Sequence, residues 1–295
     1  MKSLQRILAV VRKEVRQLRR DRLTFGMIVG IPVIQLLMFG YAINMDVRNL
    51  DAAVADMSGT SASRQVVMDM TATQIISIVK QADSAEELEE LMRYHRLRAV
   101  KMLYLDENSF EDDGVKRLAD TEALHKLNTL SLARNKITAK GMRALAASPH
   151  LKSLRTLFLQ HNQLGPEAMK ALAESETLAN LEFLYLKANP LGPEGVLELA
   201  RSPHLRHLTE LYLDRAKIGN EGLKALCESE IMLTVEKLAL PHNDLDNAAI
   251  DLLAESDFLP NLVTIDLYRN RISQSTAQRL KESSKLKRFK FLQMD

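Results

Sequence analysis

From Val100 onward the chain repeats itself every 27 residues, and a period of that length restricts the fold to stacked copies of one small unit. One ladder is apolar: Leu105, Leu132, Leu159, Leu186, Leu213, Leu240 and Leu267. A second is Asn108, Asn135, Asn162, Asn189, Asn243 and Asn270, with Ala216 standing in the fifth place. A third is Ser148, Ser175, Ser202, Ser229, Ser256 and Ser283. A single unit cannot bury its own apolar strand residues, so a core forms only when neighbours stack.

Each unit reads LxxLxLxxN followed by a helical stretch. The apolar positions of the short strand point inward, and the Asn carries both a donor and an acceptor for the backbone where the chain leaves the strand. Thr138, Gly165, Gly192, Gly219, Asp246 and Ser273 are N-cap types that mark the helix starts. Pro166 and Pro193 suit the first helical position, and Glu167, Glu194 and Glu221 favour the positive helix end. Leu118, Leu145, Leu172, Leu199, Leu226, Leu253 and Leu280 then supply the buried helix face. This period and motif resemble leucine-rich repeats, and the long helices resemble the ribonuclease-inhibitor type. The resemblance implies an α/β leucine-rich-repeat solenoid with a parallel concave sheet and convex helices over residues 100–295.

In such a solenoid the strand positions free of core duty line up on the concave face. The position between the two buried leucines reads Tyr104, Ser131, Phe158, Tyr185, Tyr212, Ala239 and Asp266, with Phe183 and Tyr268 in adjacent columns. Exposed aromatics on successive strands suit an anchor for a protein ligand, since Tyr and Phe give large contact area at low entropy cost. The competing reading is that aromatics suit a sheet surface and pack on one another across strands. Under the first, Tyr104, Phe158, Phe183, Tyr185, Tyr212 and Tyr268 form the partner-binding set and stand exposed in the free protein.

Other chemistry has little support. Residues 100–295 hold 26 Lys plus Arg against 27 Asp plus Glu, so the basic surplus of a nucleic-acid binder is missing. Cys227 shares a column with Ala200 and Ala254, which marks it as a small core residue and not a nucleophile. His150 and His204 recur in equivalent Ser-Pro-His loops, and His161 and His242 are three repeats apart, so no metal-ligand cluster is expected. GxxxxGK[ST], GxSxG and HExxH are absent from the sequence. The expectation is a non-enzymatic chain without catalytic residues, metal or cofactor. Lys281, Lys285, Lys287, Arg288 and Lys290 surround Leu286, Phe289, Leu292 and Met294, which fit one more strand.

The N-terminus is built differently. Residues 23–43 form an uncharged, largely apolar run of 21, long enough as a helix to cross a bilayer core of roughly 30 Å. Residues 1–22 place Leu4, Ile7, Leu8, Val11, Val15 and Leu18 at helical spacing among eight Lys and Arg, the pattern of an amphipathic helix lying on membrane lipid. Only Arg48 and Arg64 occur in the 21 residues after the run. The positive-inside rule then sets the N-terminus in the cytoplasm and the repeats outside a bacterial inner membrane, as a single-pass protein. A cleaved signal peptide ending near Gly40 and Ala42 is the alternative. Gly26 and Gly30 form a GxxxG pair that would let two spans approach closely.

The string KEVRQLRRDRLTFGMIVGIPVIQLLMFGYAINMDVRNL, followed by AAVAD, TSASRQVV and SAEELEELMRYHRLRAV, resembles the start of type-2 ABC exporter permeases. That resemblance implies a basic elbow helix, a first span and a small external α/β segment over residues 44–99. It also implies a second function: a partial or accessory permease subunit working with an ABC ATPase or permease chain. Leu50 to Ala55 and Gln74 to Val79 read as its strands, Ser61 to Met70 and Ser84 to Tyr94 as its helices, and Leu97 to Val100 as a last strand. After Ile43 no second uncharged run approaches the 18 or so residues a span needs.

Overall fold

The computed structural model describes residues 50–55, 76–82 and 100–294. The basic arm 1–22, the apolar run 23–43 and the helices expected at 61–70 and 84–94 lie outside the described residues. Among the described residues no helix is long and apolar enough to cross a membrane.

Asn49–Asp295 form one compact unit around a single parallel sheet. Its strands are β1 (Leu50–Ala55), β2 (Ile76–Ala82), β3 (Met102–Tyr104), β4 (Thr129–Ser131), β5 (Thr156–Phe158), β6 (Phe183–Tyr185), β7 (Glu210–Tyr212), β8 (Lys237–Ala239), β9 (Thr264–Asp266) and β10 (Phe291–Gln293). They run in the order β2-β1-β3 and then consecutively to β10. From β3 onward every pairing joins residues 27 apart, as in Leu130 opposite Leu157 and Leu184 opposite Leu211. A slip of one residue would turn the buried leucines to solvent, so the hydrophobic pattern sets this register.

The sheet does not stop where the repeats begin. Ala52 to Val54 of β1 pair with Met102 to Tyr104 of β3, so the two strands before the repeats extend the repeat sheet. The spacing predicts β2 at 74–79, whereas the strand occupies Ile76–Ala82, because pairing runs the length of β1, from Leu50 opposite Ile76 to Ala55 opposite Ala82. Of the strand expected at 97–100, residues 97–99 lie outside the described residues, and Val100 is buried just ahead of β3.

Helices return the chain between strands: α1 (Glu111–Ala119), α2 (Ala139–Ala147), α3 (Pro166–Ala173), α4 (Gly192–Ala200), α5 (Gly219–Cys227), α6 (Ala248–Glu255), and the short α7 (Gln274–Ala277) and α8 (Arg279–Glu282). The helix leucines 118, 145, 172, 199, 226, 253 and 280 are all buried beneath them. Thr138 caps α2 by accepting from Lys140 N at 3.2 Å, and Ser273 caps α7 by accepting from Thr276 N at 3.2 Å. Gly192 and Gly219 are not caps: each is the first helical residue, at φ 65° and 58°, a left-handed conformation that costs other residues energy. Asp246 sits two residues before α6 and accepts from Ala248 N at 2.9 Å.

The two polar ladders join repeat to repeat. Asn162 Oδ1 accepts from Asn135 N at 2.9 Å and Ile137 N at 3.0 Å, while its Nδ2 donates to Leu132 O and Leu159 O, both at 2.9 Å. Asn135, Asn243 and Asn270 repeat the arrangement. Ala216 cannot, and there Leu191 N turns instead to Asn189 O at 2.9 Å. The serines close the other end of each unit. Ser175 Oγ donates to Ala146 O at 2.7 Å and Ser256 Oγ to Cys227 O at 2.6 Å, satisfying carbonyls that the preceding helix leaves open at its C-terminus.

Candidate interaction surface

In β3 to β9 the middle residue of each three-residue strand is buried, and its neighbours face the open side of the sheet, half-buried in β3, β5, β6, β7 and β9. A strand only three residues long thus offers two outward columns, and the third-position column carries the aromatics. Phe158 stacks on Tyr185 with ring centroids 4.3 Å apart and planes at 25°. Tyr185 stacks on Tyr212 at 4.2 Å and 12°. Parallel pairing at a 27-residue register places these rings directly beside one another.

The stack is tied down at one end. The Tyr212 hydroxyl donates to the Glu210 carboxylate, and Lys237 Nζ lies 5.0 Å from the centre of the Tyr212 ring. Burial, with the Glu210 contact second, pushes the Tyr212 phenol up to about 12. Burial, followed by the hydroxyl contact to Tyr212, also raises the Tyr185 phenol above its ordinary value. These rings do not stand free: they are half-buried and pack on each other, because side chains one strand apart on a parallel sheet are within stacking distance.

The remaining aromatics are placed differently. Tyr104 is separated from the stack by Ser131, and its hydroxyl lies 3.9 Å from the Met102 sulfur. Phe183 occupies the first-position column between Thr156 and Glu210. Tyr268 lies past the end of β9, 36% exposed, with the His242 ring edge-on at 6.3 Å and the Arg269 guanidinium 5.3 Å from its centre.

Two features escaped the reading of the sequence. Asp106 accepts from Ser131 Oγ at 2.6 Å and Ala133 N at 2.7 Å, and burial raises its carboxyl above the ordinary range despite those donors. The other is a column of left-handed residues, each one before a ladder asparagine or Ala216: Glu107, Arg134, His161, Ala188, Arg215, His242 and Arg269, with φ between 53° and 61°. Such values are uncommon outside glycine, and the buried bonds of the next residue hold them in place. The 27-residue spacing would have revealed the column, had the position before each asparagine been read as one.

Cys227 is 5% exposed and its thiol is pushed up to about 12 by burial, so it offers no thiolate at neutral pH. Among the described residues no group of three or more His, Cys, Asp or Glu side chains could hold a metal ion.

Comparison with known proteins agrees with this architecture. A model of the family described as Leucine Rich repeat matches residues 123–146, 150–173 and 204–227. Among solved structures, a chain of the yeast Rad7 and Elc1 complex is 18% identical with a TM-score of 0.51, over 68% of this chain and 57% of that one. A protein from Bacteroides fragilis is 16% identical with a TM-score of 0.48, over 79% and 81% of the two chains. An internalin from Listeria monocytogenes is 18% identical with a TM-score of 0.34, over 72% and 45%. The chain therefore spans just over half the length of the yeast chain that it matches. No curated protein matches the sequence.

Proposed function

We propose that this chain, which carries leucine-rich repeats, is a non-enzymatic recognition protein that binds a protein partner on the concave strand face. The observation that carries the reading is the stack of Phe158, Tyr185 and Tyr212 on the outward side of three adjacent strands. The stack gives an aromatic platform of ring edges that are already ordered, so a partner that covers it loses little further conformational freedom there. Tyr104 and Tyr268 lie towards either end of the same run of strands, and Phe183 lies beside its centre. Crosslinking capture from membranes with the full chain, compared with the Phe158→Ala, Tyr185→Ala, Tyr212→Ala triple variant, tests this reading. A specific crosslinked protein should be lost in the triple variant and kept in Lys170→Ala and Lys224→Ala on the helix side. Equal loss at those two lysines, or full capture by the triple variant, removes the concave face as the site.

The same reading has the repeats displayed outside the bacterial inner membrane, tethered by residues 23–43. The eight Lys and Arg before that run, against two in the 21 residues after it, support this orientation. Protease added to intact spheroplasts should remove the repeats, and protection until lysis would overturn the arrangement.

A further inference from the structure

Basic side chains gather along one border of the aromatic platform, among scattered carboxylates. Arg134, His161 and Arg215 occupy the left-handed column at the C-terminal ends of β4, β5 and β7, and Lys187 follows β6 between them. All four are exposed. At a strand spacing of about 4.8 Å, the edge from Arg134 to Arg215 spans roughly 14 Å. Backbone bonds continue the ladder through it, from Arg134 N to Gln160 O at 2.9 Å and from His161 N to Lys187 O at 2.9 Å, so the main chain that carries these side chains is fixed. Glu107 answers part of the charge by pairing with Arg134 at 3.0 Å, and the half-buried Asp214 lies near Lys187. Three of these cations lie close enough to act on His161. After burial, Arg134, Lys187 and Arg215 are the causes that hold its imidazole below the ordinary value, against Glu107 alone in the other direction.

We infer that this edge, Arg134, His161, Lys187 and Arg215, receives the carboxylates of an acidic segment of a protein partner whose apolar side chains lie on the neighbouring aromatic stack. The inference rests on the strand face being the binding face, and adds the chemistry of what binds. A polyphosphate fits less well, because Glu210 and Asp214 lie in and just past β7, with Asp106 past β3 and Asp266 in β9 flanking the edge, and all would repel a uniformly charged backbone. Carboxylates spaced by apolar residues avoid those positions while meeting the cations.

The test uses the full chain and three probes: a synthetic peptide of alternating Glu and Phe, its Gln-for-Glu counterpart, and polyuridylate RNA. The Glu–Phe peptide should bind more tightly than the Gln counterpart, and Lys187→Gln with Arg215→Gln should weaken it by about tenfold. The His161 imidazole, followed by NMR, should move to a higher pKa when the peptide binds. Equal affinity for both peptides, an unaltered double variant, an unmoved His161 or tighter binding of polyuridylate at physiological salt would each overturn the inference. The aromatic triple variant separates the two readings. If it loses both peptides while the charge variant keeps them, the platform stands and the acidic segment fails. If only the charge variant loses the Glu–Phe peptide, the basic edge stands and the platform fails.

Discussion

Tyr185 and Tyr212 stack at 4.2 Å across the junction at which Ala216 interrupts the asparagine ladder. The pair therefore belongs to the scaffold as well as to the surface. Stacked aromatic pairs contribute about 0.5–1.5 kcal/mol beyond the area they bury. In a double-mutant cycle with Tyr185→Ala and Tyr212→Ala, unfolding by urea should return a coupling of that size. Additive losses would show that the rings stand side by side without supporting one another.

The Tyr212 phenol should respond to alkali. Its folded value is raised to about 12 against an ordinary 10, so the folded state keeps its proton longer than the unfolded chain. The stabilisation is complete below pH 10 and is lost as pH rises from 10 through 12. Absorbance titration should show a late phenolate step that disappears in Tyr185→Phe with Tyr212→Phe. A single ordinary step in the wild-type chain would contradict the burial and the Glu210 contact.

Leu159→Ala or Leu186→Ala should cost on the order of 2–5 kcal/mol, since both leucines are fully buried in a core shared with the adjoining repeats. Unchanged urea midpoints would mean that the inward strand positions are wrongly assigned.

Asn162→Ala should cost on the order of 2–4 kcal/mol, because two buried N–H groups lose their acceptor and two carbonyls lose a donor. Melting in urea measures it, and a loss no larger than that of an exposed substitution such as Gln163→Ala would deny the ladder its role.

The period alone was enough to place most of the repeat scaffold. Leu105 to Leu267, the asparagines and the helix leucines all fall where a stacked unit requires, because burial leaves so few residue types acceptable there. The serine ladder was equally visible, but its partner was not: Ser175 reaches a carbonyl 29 residues back, and that closeness exists only after stacking. Gly192 and Gly219 misled for a related reason, since glycine suits both an N-cap and a left-handed first turn. At the candidate site the aromatic column was legible, yet the two readings of it were not alternatives. Phe158, Tyr185 and Tyr212 pack across strands and still present an edge to solvent. The basic edge went unread because its members, Arg134, His161 and Arg215, differ in type and share only a backbone conformation.

A stack of repeats is held by whatever each member shares with its neighbour. Elsewhere an asparagine clasps the preceding unit, whereas at Ala216 that clasp is missing and Leu191 N bonds within its own repeat. The junction keeps its backbone bonds, Ala188 N to Asp214 O at 2.7 Å and Gly192 N to Ala216 O at 3.1 Å, and the Tyr185 and Tyr212 rings add a contact on the open face where the asparagine is lost. A ligand lying across both rings would therefore bridge two repeats at a junction that relies on its aromatic contact in place of an asparagine.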